Sequence, residues 1–135
     1  MRTLRNVSIA LAMSMATVAG AADFDGTKPL VCAVKQTHDC LPTEANCSRL
    51  QPASSIAPIY NIDFAKKEIR SPFRTALLKV LYTTTNNDSL VLQGADLLIA
   101  WSALIDKKTG AVTVSVADSK GAYVAFGDCK AAGAQ

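Results

Sequence analysis

The sequence predicts an all-β fold, an antiparallel meander that closes into a small barrel or sandwich and is stapled by two disulfides. Three observations carry that reading. Short apolar runs alternate with polar residues from about Pro58 onward, turn signals separate them at intervals near ten residues, and the chain carries an even set of four cysteines, Cys32, Cys40, Cys47 and Cys129. With 135 residues and 14.2 kDa there is room for one domain.

The chain begins as an exported protein would. Met1 to Arg5 is a short basic region, Val7 to Val18 is apolar, and Ala19-Gly20-Ala21 has the small residues that a signal peptidase accepts. We therefore expect residues 1–21 to be a signal peptide and residues 22–135 to form a single β domain. The apolar stretch is short, and Ser8, Ser14 and Thr17 interrupt it, so no membrane span is expected in the mature protein. Removing Arg2 and Arg5 from the 14 Lys+Arg leaves 12 against 11 Asp+Glu, a side-chain charge of +1. A balance so close to neutral argues against nucleic-acid binding.

Four cysteines allow three pairings. Cys32 lies in the extended run Leu30 to Val34, Cys129 ends the run that starts at Tyr123, and Cys40 and Cys47 bracket a short loop. The economical pairing is Cys32 with Cys129 and Cys40 with Cys47. On the chain-entropy model the long loop stabilises by about 4.7 kcal/mol and the short one by about 2.5. The segment 32–58, with Pro42, Pro52, Ser54 and Ser55, reads as a loop region held by the small disulfide.

Strands follow in order. Tyr60, Ile62 and Phe64 alternate with polar residues; later runs cover Ala76 to Thr84, Ser89 to Gln93, Leu97 to Ile105, Val112 to Ala117 and Ala122 to Phe126. The segment after Ser71-Pro72 could cap a helix, but Leu78, Val80 and Tyr82 alternate and threonines follow, which favours a strand. Asn86 to Asp88, Asp106 to Gly110 and Asp118 to Gly121 supply the Asx and Gly chemistry of hairpin turns. Ile62 to Ile69 and Ile105 to Val112 share one plan, a strand, an Asp-led turn and a strand. The Lys66-Lys67 and Lys107-Lys108 pairs fall in such turns, where lysine is normally solvated.

Chemistry is sparsely advertised. With a single histidine, His38, and no CxxC pair, neither a zinc site nor a Cys/His dyad is expected from His38-Asp39-Cys40. His38 is expected in a solvated loop. Of Asp63, Asp96 and Asp106, two are explained by turn formation. Asn46-Cys47-Ser48 and Asn87-Asp88-Ser89 match the glycosylation pattern, which matters only in a eukaryotic host. No catalytic residue, metal ligand or cofactor is expected, and the chain is not expected to be an enzyme. The candidate ligand-binding residues are Trp101, the only tryptophan, with Gln93, Tyr60 and Tyr82 as polar handles around an apolar cavity. Trp101 is nevertheless expected to be chiefly the large residue of the core, on the alternating face Ile99, Trp101, Ala103 and Ile105 of a central strand.

Leu90-Val-Leu-Gln-Gly94, Trp101-Ser102, Ile105-Asp106, Thr109-Gly110 and Phe126-Gly-Asp-Cys129, together with Leu30-Val-Cys-Ala33 and Ile62-Asp-Phe64, resemble a group of small secreted proteobacterial proteins of unassigned activity. The likeness spans nearly all of the mature chain. It implies a periplasmic or extracellular location and one compact β domain, and it transfers no catalytic residue. In outline the chain is also similar to periplasmic inhibitors of c-type lysozyme, small β-barrels with a terminal disulfide and a Ser-Gly-x-x-Tyr loop. Its nearest run, Ser119-Lys-Gly121-Ala-Tyr123, has those residue types at a different spacing.

The functional expectation is a non-catalytic binding or interaction module of the periplasm or extracellular space, its partner a small apolar ligand or an envelope protein. The alternatives are a structural or envelope-stress protein without ligand and an inhibitor of a secreted hydrolase. The sequence does not indicate an oligomeric state.

Overall fold

The computed structural model describes residues 21–50, 58–72, 75 and 77–133; of the expected signal segment 1–21, residues 1–20 lie outside them. A 3₁₀ turn, η1 (Ala21–Phe24), precedes ten strands: β1 (Leu30–Cys40), β2 (Ser48–Leu50), β3 (Ile59–Asp63), β4 (Glu68–Arg70), β5 (Leu77–Lys79), β6 (Tyr82–Thr85), β7 (Ser89–Asp96), β8 (Ile99–Asp106), β9 (Ala111–Ala117) and β10 (Ala122–Ala131). All pairings are antiparallel, in the order β5-β4-β3-β1-β10-β9-β8-β7-β6, with β2 added on β1.

The sheet curls like a barrel because one stretch of chain belongs to both of its ends. β5 pairs with β4, β6 pairs with β7, and only Val80 and Leu81 separate them. Val80 N–H donates to Lys67 O (2.9 Å), and the next residue's N–H donates to Gln93 O (2.9 Å). The expected strand over this segment is thus present but divided, switching partner halfway. Its helical alternative is absent from the described residues there; Phe73, Arg74 and Ala76 lie outside them. Where β5 passes β7, Gly94 has no side chain to interfere. A Cβ there would collide with Lys79 O and the Trp101 indole.

Inside the curl the alternation works as the sequence predicts. Leu30, Cys32, Val34, Tyr60, Ile62, Ile69, Leu78, Val80, Leu90, Leu92, Trp101, Ala103, Ile105, Val112, Ala125 and Cys129 form one buried core. Cys32 and Cys129 are direct cross-strand partners, bonded within that core, and Cys40 bonds Cys47 at the surface. Both pairings agree with the economical connectivity. The three Asp-led turns form with the expected bonds. Asp106 Oδ1 accepts from the backbone N–H groups of Lys108 (2.9 Å) and Thr109 (2.8 Å), and Gly110 follows at φ +76°.

The expected loop over 32–58 needs correction in its first part. β1 runs unbroken to Cys40 as an 11-residue strand, and β2 pairs with its far half at Thr37 to Asp39. Polar Lys35-Gln-Thr-His-Asp39 concealed it. Between Val34 and Gln36 the register shifts by a bulge, so the inward set passes from Leu30, Cys32 and Val34 to Thr37 and Asp39. No constant period of two spans that change. Pro52, Ser54 and Ser55 lie outside the described residues.

Candidate functional site

The barrel has two dissimilar ends. At one, the chain itself is the plug. Phe24 of η1 packs on the core so tightly that a Cβ on Gly110 would collide with its ring, and Gly26 lies over the side chains of Leu90 and Phe64. The other end carries the β9–β10 turn and the exit of β1. There a shallow depression of about 250 Å³ is lined by Asp39, Leu41, Val116, Asp118, Lys120, Gly121, Ala122 and Tyr123.

Strand register explains which side chains meet there. Asp39 lies opposite Tyr123, Tyr123 opposite Val116, Val116 opposite Trp101 and Trp101 opposite Gly94, so one row of inward positions crosses five strands. Trp101 is 5% exposed and Val116 and Tyr123 are half-buried. The row therefore leads from the core at Trp101 out to the depression at Tyr123 and Asp39. The turn below is rigidly bonded: Asp118 Oδ1 accepts from Lys120 N–H (2.7 Å) and Gly121 N–H (3.0 Å), and Asp118 N–H donates to Gly121 O (3.0 Å).

The phenols of Tyr60 and Tyr123 are electrostatic neighbours, and Ser71 interacts with Tyr60. Burial pushes the Tyr60 phenol up from its ordinary value, against the polar neighbours Tyr123 and Ser71, which pull it down. Burial also raises the Tyr123 phenol, and the adjacent Tyr60 raises it further. Both rings are thus held neutral through the physiological range.

The four residues predicted from sequence do not come together. Trp101 and Tyr60 face inward, whereas Gln93 and Tyr82 are opposite each other on the outer face, Tyr82 being 56% exposed. The divided strand is the reason: β6 is an edge strand whose residues are all exposed. The same outer row continues into Ser102 and Ser115, whose hydroxyls share a hydrogen bond of 2.8 Å. Trp101 behaves as the core residue of β8, with Cζ2 and Cε2 over Gly94 and an indole N–H that meets no acceptor among the described residues.

His38 is also placed differently from expectation. It sits on β1, half-buried on the outer face, with the Gln36 amide nitrogen 2.5 Å from Nε2 and its ring edge-on to Phe126. Asp39, next in the strand, points the opposite way. Among the described residues no nucleophile, base and orienting acid share a cleft, and no group of His, Cys, Asp and Glu has the arrangement of a metal site.

What the sequence reading missed was the depression. Tyr123, Asp39 and Lys120 were all visible in it, but nothing local says that the exit of β1 and the β9–β10 turn share one end of a barrel. Compared with family models, with curated proteins and with solved structures, the chain has no match, so its own residues carry the functional reading.

Proposed function

We propose that this is an exported, non-catalytic binding module of the periplasm or extracellular space, which receives a small apolar group in the depression at the β9–β10 end. One observation carries the reading. The chain plugs one end of its barrel with Phe24 and leaves at the other a concavity whose lining combines Leu41, Val116, Ala122 and the Tyr123 ring with a few polar groups. At about 250 Å³ it suits a small ligand or a single side chain of a partner, just below the usual range for drug-sized ligands.

Two disulfides belong to a chain that folds in an oxidising, non-cytoplasmic compartment. The basic, apolar and small-residue segments of the N-terminus support export as the route. The test is native mass spectrometry of protein recovered from a periplasmic or culture fraction. We expect an added mass that disappears on denaturation and is absent from Val116→Trp, which enlarges the inward-row side chain lining the depression. Failure of the folded protein to hold any added mass, or equal retention by Val116→Trp, would count against the site.

A further inference from the structure

We infer that the depression recognises an organic cation on an apolar stem, an alkylammonium or guanidinium group, with Asp39 as its counter-ion. This rests on the reading of the depression as a binding site and names the class of ligand it takes.

Carboxylate bonding across the molecule singles out Asp39. All 11 acidic residues fall within the described residues. Asp23, Asp63, Glu68, Asp88 and Asp128 form ion pairs with lysines. Asp25, Glu44, Asp96, Asp106 and Asp118 accept hydrogen bonds from nearby backbone or hydroxyl groups. Asp39 alone among them has neither a hydrogen bond nor an ion pair with any described residue. Yet it is half-buried, and the β1 bulge turns it inward beside Tyr123. A partly desolvated carboxylate without a donor is a standing cost, and a bound cation removes it.

The surroundings define what kind of cation fits. Leu41, Val116 and Ala122 offer an apolar floor for a short aliphatic stem, and the Tyr123 ring offers a face on which a cation is attracted. Two carboxylates and one ammonium line the depression, so its own charge is negative. Lys120 makes no ion pair with either carboxylate and stands as the competing positive charge. An anion would meet Asp39 unshielded, and a neutral group would leave it unpaired.

The experiment titrates the intact, oxidised protein with n-pentylammonium, n-pentanol and a blocked Ala-Lys-Ala tripeptide, following Trp101 fluorescence and the amide resonances of Gly121, Ala122 and Tyr123. We expect pentylammonium or the tripeptide to bind at least about tenfold more tightly than pentanol, with affinity falling as salt rises. Binding of the amine without the peptide identifies a free small amine; binding of the peptide identifies a basic side chain. Asp39→Asn, which keeps the shape, should reduce cation binding to the level of pentanol. Lys120→Ala should tighten it about threefold. Equal binding of pentanol and pentylammonium, or no effect of Asp39→Asn in a protein with an unchanged far-UV spectrum, overturns the cation and leaves the depression as an apolar site. Silence towards all three probes removes both.

Discussion

The two ends of the barrel are built from similar hairpins and differ in what covers them. At the β8–β9 end, η1 brings Phe24 onto Gly110, and the Cys32–Cys129 bond lies close by in the core, with Cys129 N–H donating to Gly110 O (2.7 Å). At the β9–β10 end none of the described residues fills the opening, and the Cys40–Cys47 bond ties a loop whose residues are exposed. The first end is organised for stability. The second keeps an unpaired carboxylate and accessible apolar surface, a combination that folding alone would not favour. Binding sites are commonly placed where a scaffold leaves its own core incompletely covered.

The disulfides should separate the ends most strongly. Replacing Cys32 and Cys129 by Ser opens a loop of 97 residues' separation and should cost about 5 kcal/mol, whereas removing the Cys40–Cys47 bond, of separation 7, should cost about 2.5. Urea denaturation of the two double variants measures both. Equal losses would mean that the two ends are equivalent.

Side chains give a smaller contrast. Phe24→Ala should cost about 2 kcal/mol, less than a fully buried Phe because the ring is only half-buried, while Leu41→Ala at the open rim should cost less than about 1. Thermal unfolding of each variant is sufficient. A larger loss at Leu41 would reverse the assignment of plug and opening.

Alkali should act through the tyrosines. The phenols of Tyr60 and Tyr123 are raised above the value of 10.0 that they regain on unfolding, mainly by burial. A raised folded value means that their contribution is constant below pH 10 and is lost as pH climbs beyond it. We expect the unfolding midpoint in urea to fall above pH 10, with tyrosinate absorbance rising together with unfolding. Tyr60→Phe should shift that fall to higher pH. A fall beginning at pH 8 in the parent would exclude these phenols as its cause.

The smallest effect concerns the β7–β8 turn. Leu97 and Leu98 are 98% and 73% exposed, and neither has the positive φ of the turns that best suit two-residue hairpins. Replacing them by Asn-Gly should leave the fold intact and stabilise it by about 0.5 kcal/mol, or leave it unchanged. A loss above about 1 kcal/mol would show that these leucines are needed by the fold itself.

Much of this was legible in the residues. Val112 to Ala117 and Ile99 to Ile105 alternate cleanly because one face of each is buried, and the Asp-led turns announce themselves because Asx side chains bond their own backbone. Trp101 was legible as a core residue from its place in that alternation. β1 beyond Val34 was not, since its bulge changes the phase of the pattern and its exposed face is polar. Tyr82 was misplaced because its strand changes partner at Val80 and Leu81, a switch set by hydrogen bonds to Lys67 and Gln93 rather than by local preference.

By itself, then, the sequence determined the all-β class, most strand positions and the turn chemistry, which follow from short-range periodicity and local bonding, and among three disulfide pairings it favoured the economical one. Only the tertiary structure decided that the curl closes through one divided strand, that Phe24 fills one end, and that Asp39 and Tyr123 meet at the other. The contacts of Phe24 with Gly110 and of Asp39 with Tyr123 join residues more than 80 positions apart, and the second depends on register and on the bulge at Lys35, which no window of neighbouring residues contains.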